Sequence, residues 1–155
     1  RTGCPILASY SFNFALNSAK IDKKYYPQIE KLVDILKDNE KIMIEIQGYT
    51  DSQGSAEYNK KLSLRRAESL KNILVTKYKI VKNRIDVVGF GSDYPIADNG
   101  TEEGRAQNRR IIVIDKTKKV SQVPSGEDFN ENLPNNVQDL PVNNWFYIKN
   151  NIKVK

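Results

Sequence analysis

The stretch KIMIEIQGYTDSQGSAEYNKKLSLRRA, residues 41–67, predicts a strand, a turn and a helix in immediate succession. Ile42, Ile44 and Ile46 alternate with other residues at period two, as on a strand with one buried face. After the TDSQG turn, good helix formers predict a helix from about Ser55 to Tyr78. Its apolar stripe is formed by Ala67, Leu70, Ile73 and Leu74. A strand that leads directly into such a helix is typical of an α/β unit.

Upstream of this unit, the sequence predicts another strand and another helix. The segment ILASYSFNF, residues 6–14, has partial apolar alternation at Tyr10, Phe12 and Phe14, which indicates a strand with one buried face. A helix is expected from Pro27, a residue suited to the first helical turn, to a stop at Asn39. Its apolar positions at helical spacing are Ile29, Leu32, Val33 and Leu36.

Downstream of the second helix, the pattern predicts two further strands separated by a long loop. RIDVVGFG, residues 84–91, is the third strand, and RIIVI, residues 110–114, is the fourth. The continuous apolar run of the fourth strand indicates burial on both faces or a central position in the sheet. In the loop 92–108, Thr101 is positioned to cap a short helical turn.

The predicted order is β-α-β-α-β-β, which favours an α/β (α+β) sandwich with helices packed on a mixed sheet. The first three strands are linked by helical crossovers, as parallel pairing requires. We expect one domain over residues 6–119. Residues 120–155 form an Asn- and Pro-rich tail, in which WFYIKNNIKVK at 145–155 has the pattern of a short β-hairpin.

Composition excludes several classes of function. The chain has no histidine and one cysteine, so it lacks the usual zinc ligand sets and the residues of a Ser-His-Asp or Cys-His nucleophilic site. No cofactor is expected. Its 25 Lys and Arg against 19 Asp and Glu give a net charge of +6, which suits polyanionic partners. Because the sequence begins at Arg1 and has no apolar run of bilayer length, we expect a soluble fragment of a larger protein.

Two charged residues flank the expected turn between strand and helix. Asp51 follows the isoleucine strand at the edge where α/β sheets place their ligand crevices, and Arg66 lies on the next helix. Asn59, Leu62 and Arg66 share one helix face. A carboxylate and a guanidinium held apart can receive the ammonium and the carboxylate of a zwitterion. The alternative is that Asp51 is a turn or cap residue and that Arg66 pairs with Glu57 or Glu68 on the helix surface.

Four blocks of sequence together resemble the OmpA-like peptidoglycan-binding domain. They cover residues 10–115 in the order of that family and with its spacing. The blocks are FNFALNSAKI at 12–21, GYTDSQGSAEYNKKLSLRRAESL at 48–70, VVGFGSDYPIADN at 87–99 and GRAQNRRIIV at 104–113. A signature spread over four blocks is far more specific than a single short motif.

The resemblance implies a noncatalytic periplasmic module that binds the peptide stem of peptidoglycan through meso-diaminopimelate and tethers an outer-membrane or envelope protein to the cell wall. It implies Asp51 and Arg66 as the ligand-binding pair, with Arg65 outside the site. The remaining implied site residues are Asn59, Thr50, Leu62, Arg109 at the rim, and Asn17 in the first loop. Membrane contact is expected only through parts of the full-length protein outside this chain.

The sequence departs from the family pattern at two positions. Tyr49 stands where the family usually has histidine, which is tolerable if this side chain packs rather than bonds. Ala15 stands where many members have an acid, so any contact of that carboxylate is absent here.

The alternative function from another class is an RNA-binding module, because tyrosines and basic residues are both abundant. The predicted strand order differs from the β-α-β-β-α-β order of RNA-recognition domains, and the tyrosines are dispersed over helices and turns. GFGSD at 89–93 lacks the further residues of a phosphate-binding loop. An enzyme is not expected, because Asp51 has no carboxylate or histidine partner in the motif blocks.

Overall fold

The computed structural model describes residues 4–117 of the chain. The predicted tail at 120–155, its hairpin and the predicted domain boundary at 119 lie outside these residues.

Strands and helices follow one another in the predicted order, and the short helical turn expected after Thr101 is a helix before the last strand. The strands are β1 (Ile6–Tyr10), β2 (Ile44–Tyr49), β3 (Ile85–Gly91) and β4 (Arg110–Asp115). The helices are α1 (Tyr26–Asp38), α2 (Ala56–Thr76) and α3 (Glu102–Asn108). Ser55 and Thr101 cap α2 and α3 with their side-chain oxygens, and Asn39 ends α1. The predicted α/β fold class is therefore confirmed.

The four strands form one mixed sheet in the order β1-β4-β2-β3. β2 and β3 are parallel neighbours joined by α2, whereas β4 runs antiparallel to both β1 and β2. All six residues of β4 are buried, which confirms its predicted central position. β1 and β2 are not neighbours, because β4 lies between them. The pattern of crossovers indicated the common direction of these two strands but not which strands pair.

The first strand is shorter than predicted. It ends at Tyr10, which pairs with Ile111 near the beginning of β4, so the residues after it have no strand beside them. Phe12 and Phe14 keep their apolar contacts outside the strand. The Phe12 ring stacks on Tyr10 with centroids 4.8 Å apart and meets Phe14 edge-on at 6.1 Å. The alternation of aromatic residues therefore reflects packing on the core rather than strand pairing.

Both helical crossovers pack on one face of the sheet and form the main core. On that face, Ile44 and Ile46 of β2 and Ile111 and Val113 of β4 meet the apolar stripes of α1 and α2. The stripe residues are Ile29, Leu32, Val33, Leu36, Ala67, Leu70 and Leu74. Alternate residues of β4, Ile112 and Ile114, belong to a second apolar cluster. The apolar run of β4 thus packs into apolar clusters on both faces of the sheet.

Helix α2 crosses β2 and β3 at two glycines, so closely that no side chain fits between them. A Cβ atom on Gly48 would lie 2.2 Å from the carbonyl oxygen of Ser63, and one on Gly89 would lie 2.5 Å from the backbone of Lys60 and Leu64. The Ser63 hydroxyl accepts a hydrogen bond from the Gly91 amide at 2.9 Å. This backbone contact determines how far the residues of α2 stand from the end of β2.

Arg84, just before β3, joins the end of α1 to the start of β2. Its guanidinium donates to the carbonyl oxygens of Leu36 at 3.0 Å, Asn39 at 2.9 Å and Ile42 at 3.0 Å. Carbonyls at the C-terminus of a helix have no partner within the helix, and a cation there also interacts favourably with the helix dipole.

We expect Arg84→Ala to lower the free energy of unfolding by about 2 kcal/mol, because it removes three hydrogen bonds from a charged donor and leaves carbonyls unsatisfied. Urea unfolding followed by circular dichroism measures the change. Lys82→Ala is the matched control, since Lys82 is an exposed neighbour in the same turn. Equal stability of the two variants would contradict this role for Arg84.

Candidate functional site

Asp51 lies two residues after the last residue of β2, at the end of the sheet, and its side chain is almost fully buried. Its Oδ1 accepts a hydrogen bond from the Gln53 amide at 3.0 Å, which fixes the turn. Its Oδ2 accepts from Nη1 of Arg109 at 2.6 Å. Asp51 is therefore a turn residue, and its ionic partner is Arg109.

Arg109 links Asp51 to a second acid. Its Nη2 donates to Glu102 at 2.7 Å, and its side chain is 36% exposed. Burial on its own lowers the pKa of Arg109, but the hydrogen bonds to Glu102 and Asp51 outweigh burial and raise it. The same hydrogen bond lowers the pKa of Glu102, which also contacts Arg105 at 3.2 Å. Arg109 is therefore partly exposed and bridges two carboxylates.

Asn108, which the sequence analysis did not single out, sets the position of Arg109. Its side chain is fully buried and accepts hydrogen bonds from the amides of Ile96 and Ala97 at 2.7 and 3.0 Å. It also donates to the Ala97 carbonyl and to Asn99. This network fastens the long loop to the end of α3, directly before Arg109. The signal in the sequence that could have identified Asn108 is its place as a polar residue shortly before the apolar residues of β4.

Arg66 projects from α2 towards the first loop, and the residue is only 8% exposed. Its Nε donates to the Ser18 carbonyl at 2.9 Å, and its Nη2 is 3.5 Å from the Ala15 carbonyl. The guanidinium lies over the Phe14 ring at 4.3 Å. Burial is the main cause of the lowered pKa of Arg66. Arginine nevertheless remains charged in proteins.

The hypothesis that Arg66 pairs with an acid on its own helix is wrong. Within residues 4–117, Glu57 pairs with Lys61 at 3.6 Å, and Arg66 forms no ion pair. Arg66 and Arg109 instead line one small pocket, and Asp51 is close enough to act on the Arg66 charge. The other lining residues are Tyr10, Phe12, Phe14, Gly48, Tyr49, Arg110 and Ile111.

Three further predicted residues shape the Asp51 turn from within the protein. The Asn59 side-chain amide donates to the Gln53 carbonyl at 2.9 Å, and the Thr50 hydroxyl donates to the Asp51 carbonyl at 2.8 Å. Leu62 is buried. Because the Asn59 amide and the Thr50 hydroxyl are engaged by backbone groups, these residues hold the turn in place.

Asn17 lies in the first loop with φ of 58°, a left-handed conformation that asparagine tolerates. Its side-chain oxygen accepts a hydrogen bond from the Tyr58 hydroxyl. Arg65, which was expected to lie outside the site, reaches the Asn17 carbonyl at 3.4 Å in an exposed contact. The first half of α2 thus holds the first loop through several side chains, of which Arg66 is the most buried.

Tyr49, which replaces the usual histidine, both packs and bonds. Its hydroxyl donates to Gln47 at 2.8 Å, and its ring stacks on Phe90 with centroids 5.3 Å apart. The guanidinium of Arg110 lies 3.8 Å from the centre of the Tyr49 ring and donates to the carbonyls of Asn108 and Tyr94. Burial lowers the pKa of Arg110 to about 10. Sequence analysis did not separate the roles of the adjacent arginines in NRR.

The part of the chain that the structure describes contains no cluster of three acidic, cysteine or histidine side chains arranged to hold a metal ion. None of the helices in residues 4–117 combines the length and apolar character that a bilayer span requires.

Residues 13–109 of the chain match the OmpA family. The chain belongs to the OmpA family. Among its relatives in this family is outer membrane porin F of Pseudomonas aeruginosa, which is 38% identical over 114 residues. These residues represent 70% of this chain and 33% of the porin, so the chain spans about a third of the length of that relative.

Two further OmpA-family relatives match over a larger share of their own length. The peptidoglycan-associated lipoprotein of Buchnera aphidicola is 36% identical over 103 residues, which cover 65% of this chain and 58% of the lipoprotein. The crystal structure of the peptidoglycan-associated lipoprotein from Burkholderia pseudomallei superposes with a TM-score of 0.62 at 30% identity, and covers 68% of this chain and 87% of that one. The family likeness therefore lies in the described domain.

Proposed function

We propose that this chain is a noncatalytic module that binds peptidoglycan through the meso-diaminopimelate of the stem peptide. In this proposal it anchors an outer-membrane or envelope protein to the cell wall from the periplasm. Relatives named peptidoglycan-associated lipoprotein support the cell-wall role. In this proposal, only parts of the full-length protein outside this chain contact the membrane.

One structural observation carries the proposal. A buried guanidinium, Arg66, and a buried carboxylate, Asp51, occupy the same end of the sheet without pairing to each other. In the described residues, Nη1 of Arg66 makes no hydrogen bond, so the outer end of the guanidinium can donate to a carboxylate. The side-chain end of diaminopimelate carries one ammonium and one carboxylate on the same carbon, and this pair of charges fits the site.

The RNA-binding alternative has no support from the arrangement of residues 4–117. Tyr49 is buried against Phe90, and Tyr26 and Tyr78 contact each other away from the basic pocket. Stacking of successive bases needs exposed rings placed together on one surface. We therefore propose no nucleic-acid partner.

We expect insoluble sacculi that contain diaminopimelate to retain the 155-residue protein, and a soluble diaminopimelate muropeptide to release it. Retention should persist at physiological salt, where immobilised single-stranded RNA retains none. The measurement is the bound fraction after sedimentation. Retention on RNA but not on sacculi would overturn the proposal in favour of the alternative.

The same assay tests the proposed extent of the domain. A variant that ends at Lys119 should be retained as well as the full chain, because the site residues on the described elements all precede it. If that variant keeps its circular dichroism spectrum but loses retention, the tail contributes to binding and the domain is larger than 6–119.

A further inference from the structure

The charges of the domain are unevenly distributed along the chain. Residues 55–84, which contain α2 and the turn that follows it, carry nine Lys and Arg against two Asp and Glu. The other described residues, 4–54 and 85–117, carry ten Lys and Arg against thirteen Asp and Glu. One segment is therefore strongly positive, whereas the remainder of the described domain has a small excess of negative charge.

Part of the positive charge of residues 55–84 has partners inside the protein. Arg66 and Arg84 donate to backbone carbonyls at 2.9 and 3.0 Å. Lys60 and Lys61 each form an ion pair with a nearby acid, at 3.1 and 3.6 Å. Arg65 makes an exposed contact with a carbonyl of the first loop at 3.4 Å. The cations of the segment that remain are four lysines at the C-terminal end of α2 and just after it.

These four lysines, Lys71, Lys77, Lys79 and Lys82, are called the lysine surface here. Within residues 4–117 none of them forms an ion pair. Lys71 is partly exposed and the other three are exposed. Lys71 and Lys82 line the same open groove, of about 330 Å³, which Glu68 also lines without pairing to either. The lysine surface is therefore open to an anionic partner.

The local surroundings of the lysine surface do not neutralise it. Lys77 lies over the rings of Tyr26 at 5.5 Å and Tyr78 at 5.4 Å, which attract its charge without cancelling it. The C-terminal end of α2 attracts cations with only about half of an elementary charge. Like charges gathered on one segment repel each other. A surface of this kind is unfavourable in isolation and becomes favourable beside a polyanion.

The position of the lysine surface on α2 indicates which polyanion it meets. Arg66 lines the candidate pocket, and Lys71 follows it by about 8 Å along the helix axis and Lys77 by about 16 Å. Peptidoglycan carries carboxylates on its stem peptides, so it is a polyanion as well as the ligand of the proposed function. A stem held at the pocket brings the carboxylates of neighbouring stems close to the rest of α2.

We propose that the lysine surface is a second contact with the cell wall, which attracts stem carboxylates of the polymer outside the pocket. This inference rests on the proposed function and adds an interaction surface that a single soluble muropeptide is too small to use. The contact strengthens retention by sacculi, and salt weakens it, since exposed charges are screened by ions.

A variant of the full chain with all four lysines replaced, K71Q/K77Q/K79Q/K82Q, tests the contact. At low salt its affinity for sacculi that contain diaminopimelate should fall at least ~5-fold, because four exposed charge interactions of modest strength are lost. The difference from wild type should shrink as salt is raised. Its affinity for a soluble diaminopimelate muropeptide, measured by titration calorimetry, should stay within ~2-fold of wild type.

The matched control, K23Q/K31Q/K37Q/K41Q, removes four exposed lysines from another part of the domain. It changes the net charge by the same amount. These lysines belong to residues 20–41, in which six Lys are accompanied by five Asp and Glu. We expect the control to bind sacculi within ~2-fold of wild type at every salt concentration.

Three results would overturn the inference while the proposed function stands. They are wild-type affinity of the lysine-surface variant for sacculi at low salt, an equal loss in the control, and a loss of muropeptide affinity in the lysine-surface variant with an unchanged circular dichroism spectrum. If that variant keeps its affinity for sacculi but loses binding to phosphatidylglycerol vesicles, the lysine surface faces a membrane instead. If wild-type protein binds neither sacculi nor muropeptide, the proposed function is wrong as well.

Discussion

The Gly48→Ala variant is expected to lose more than ~3 kcal/mol of unfolding free energy, at or above the upper end of the usual penalty for overpacking. The added methyl group would lie 2.2 Å from the Ser63 carbonyl oxygen and 2.8 Å from its carbonyl carbon. Both are backbone atoms of α2, so no side-chain rotation relieves the clash, and the whole helix must move away from the sheet. Urea unfolding followed by far-UV circular dichroism measures the loss.

Gly100→Ala is the control for this variant. A methyl group at Gly100 meets only the Asp98 carboxylate, with the nearest oxygen at 3.1 Å, and a surface side chain can move. We expect its stability to remain within about 0.5 kcal/mol of wild type. If Gly48→Ala unfolds at the same urea concentration as Gly100→Ala, the close crossing of α2 over β2 is not as the structure describes.

Replacement of Arg66 by alanine is expected to weaken sacculus binding at least ~30-fold, which corresponds to about 2 kcal/mol or more. The change removes the proposed donor to the ligand carboxylate and the hydrogen bonds that hold the loop at Ala15 and Ser18. Binding of labelled protein to sacculi over a range of concentrations measures the effect. Circular dichroism before each experiment shows whether the fold is intact.

Arg65→Ala is the matched control, because it makes the same change of charge one residue away. Arg65 has an exposed contact of 3.4 Å with the Asn17 carbonyl, so its loss should weaken binding by less than ~5-fold. If Arg65→Ala loses binding and Arg66→Ala binds normally, the ligand contacts Arg65 rather than Arg66.

The sequence was sufficient to predict the elements whose signals are local. The period-two isoleucines of β2, the Ser55 and Thr101 caps and the Asn39 stop each depend on a few adjacent residues, and the structure has all of them. Strand pairing was not predictable in this way. Insertion of β4 between β1 and β2 depends on contacts between residues far apart in the chain, which no local pattern encodes.

At the candidate site, the sequence singled out residues but did not predict the contacts between them. The family motif drew attention to Asp51, Arg66 and Arg109. It did not indicate that the Asp51 carboxylate already accepts a hydrogen bond from Arg109 at 2.6 Å. That pairing depends on α3 and on the Asn108 network, which bring a residue 58 positions away onto the turn. Likewise, nothing in the sequence NRR at 108–110 indicates that Arg110 is buried over the Tyr49 ring while Arg109 is partly exposed.

The central position of β4 determines when this domain can become folded during synthesis. β4 is made last of the four strands, yet it supplies the hydrogen-bonding partner for β1 and for one edge of β2. Until residue 115 has left the ribosome, β1 has no partner within residues 4–117 and the pair β2–β3 has an open edge. The complete four-stranded sheet can therefore form only after this last segment has left the ribosome, so β4 closes the fold from the end of the domain.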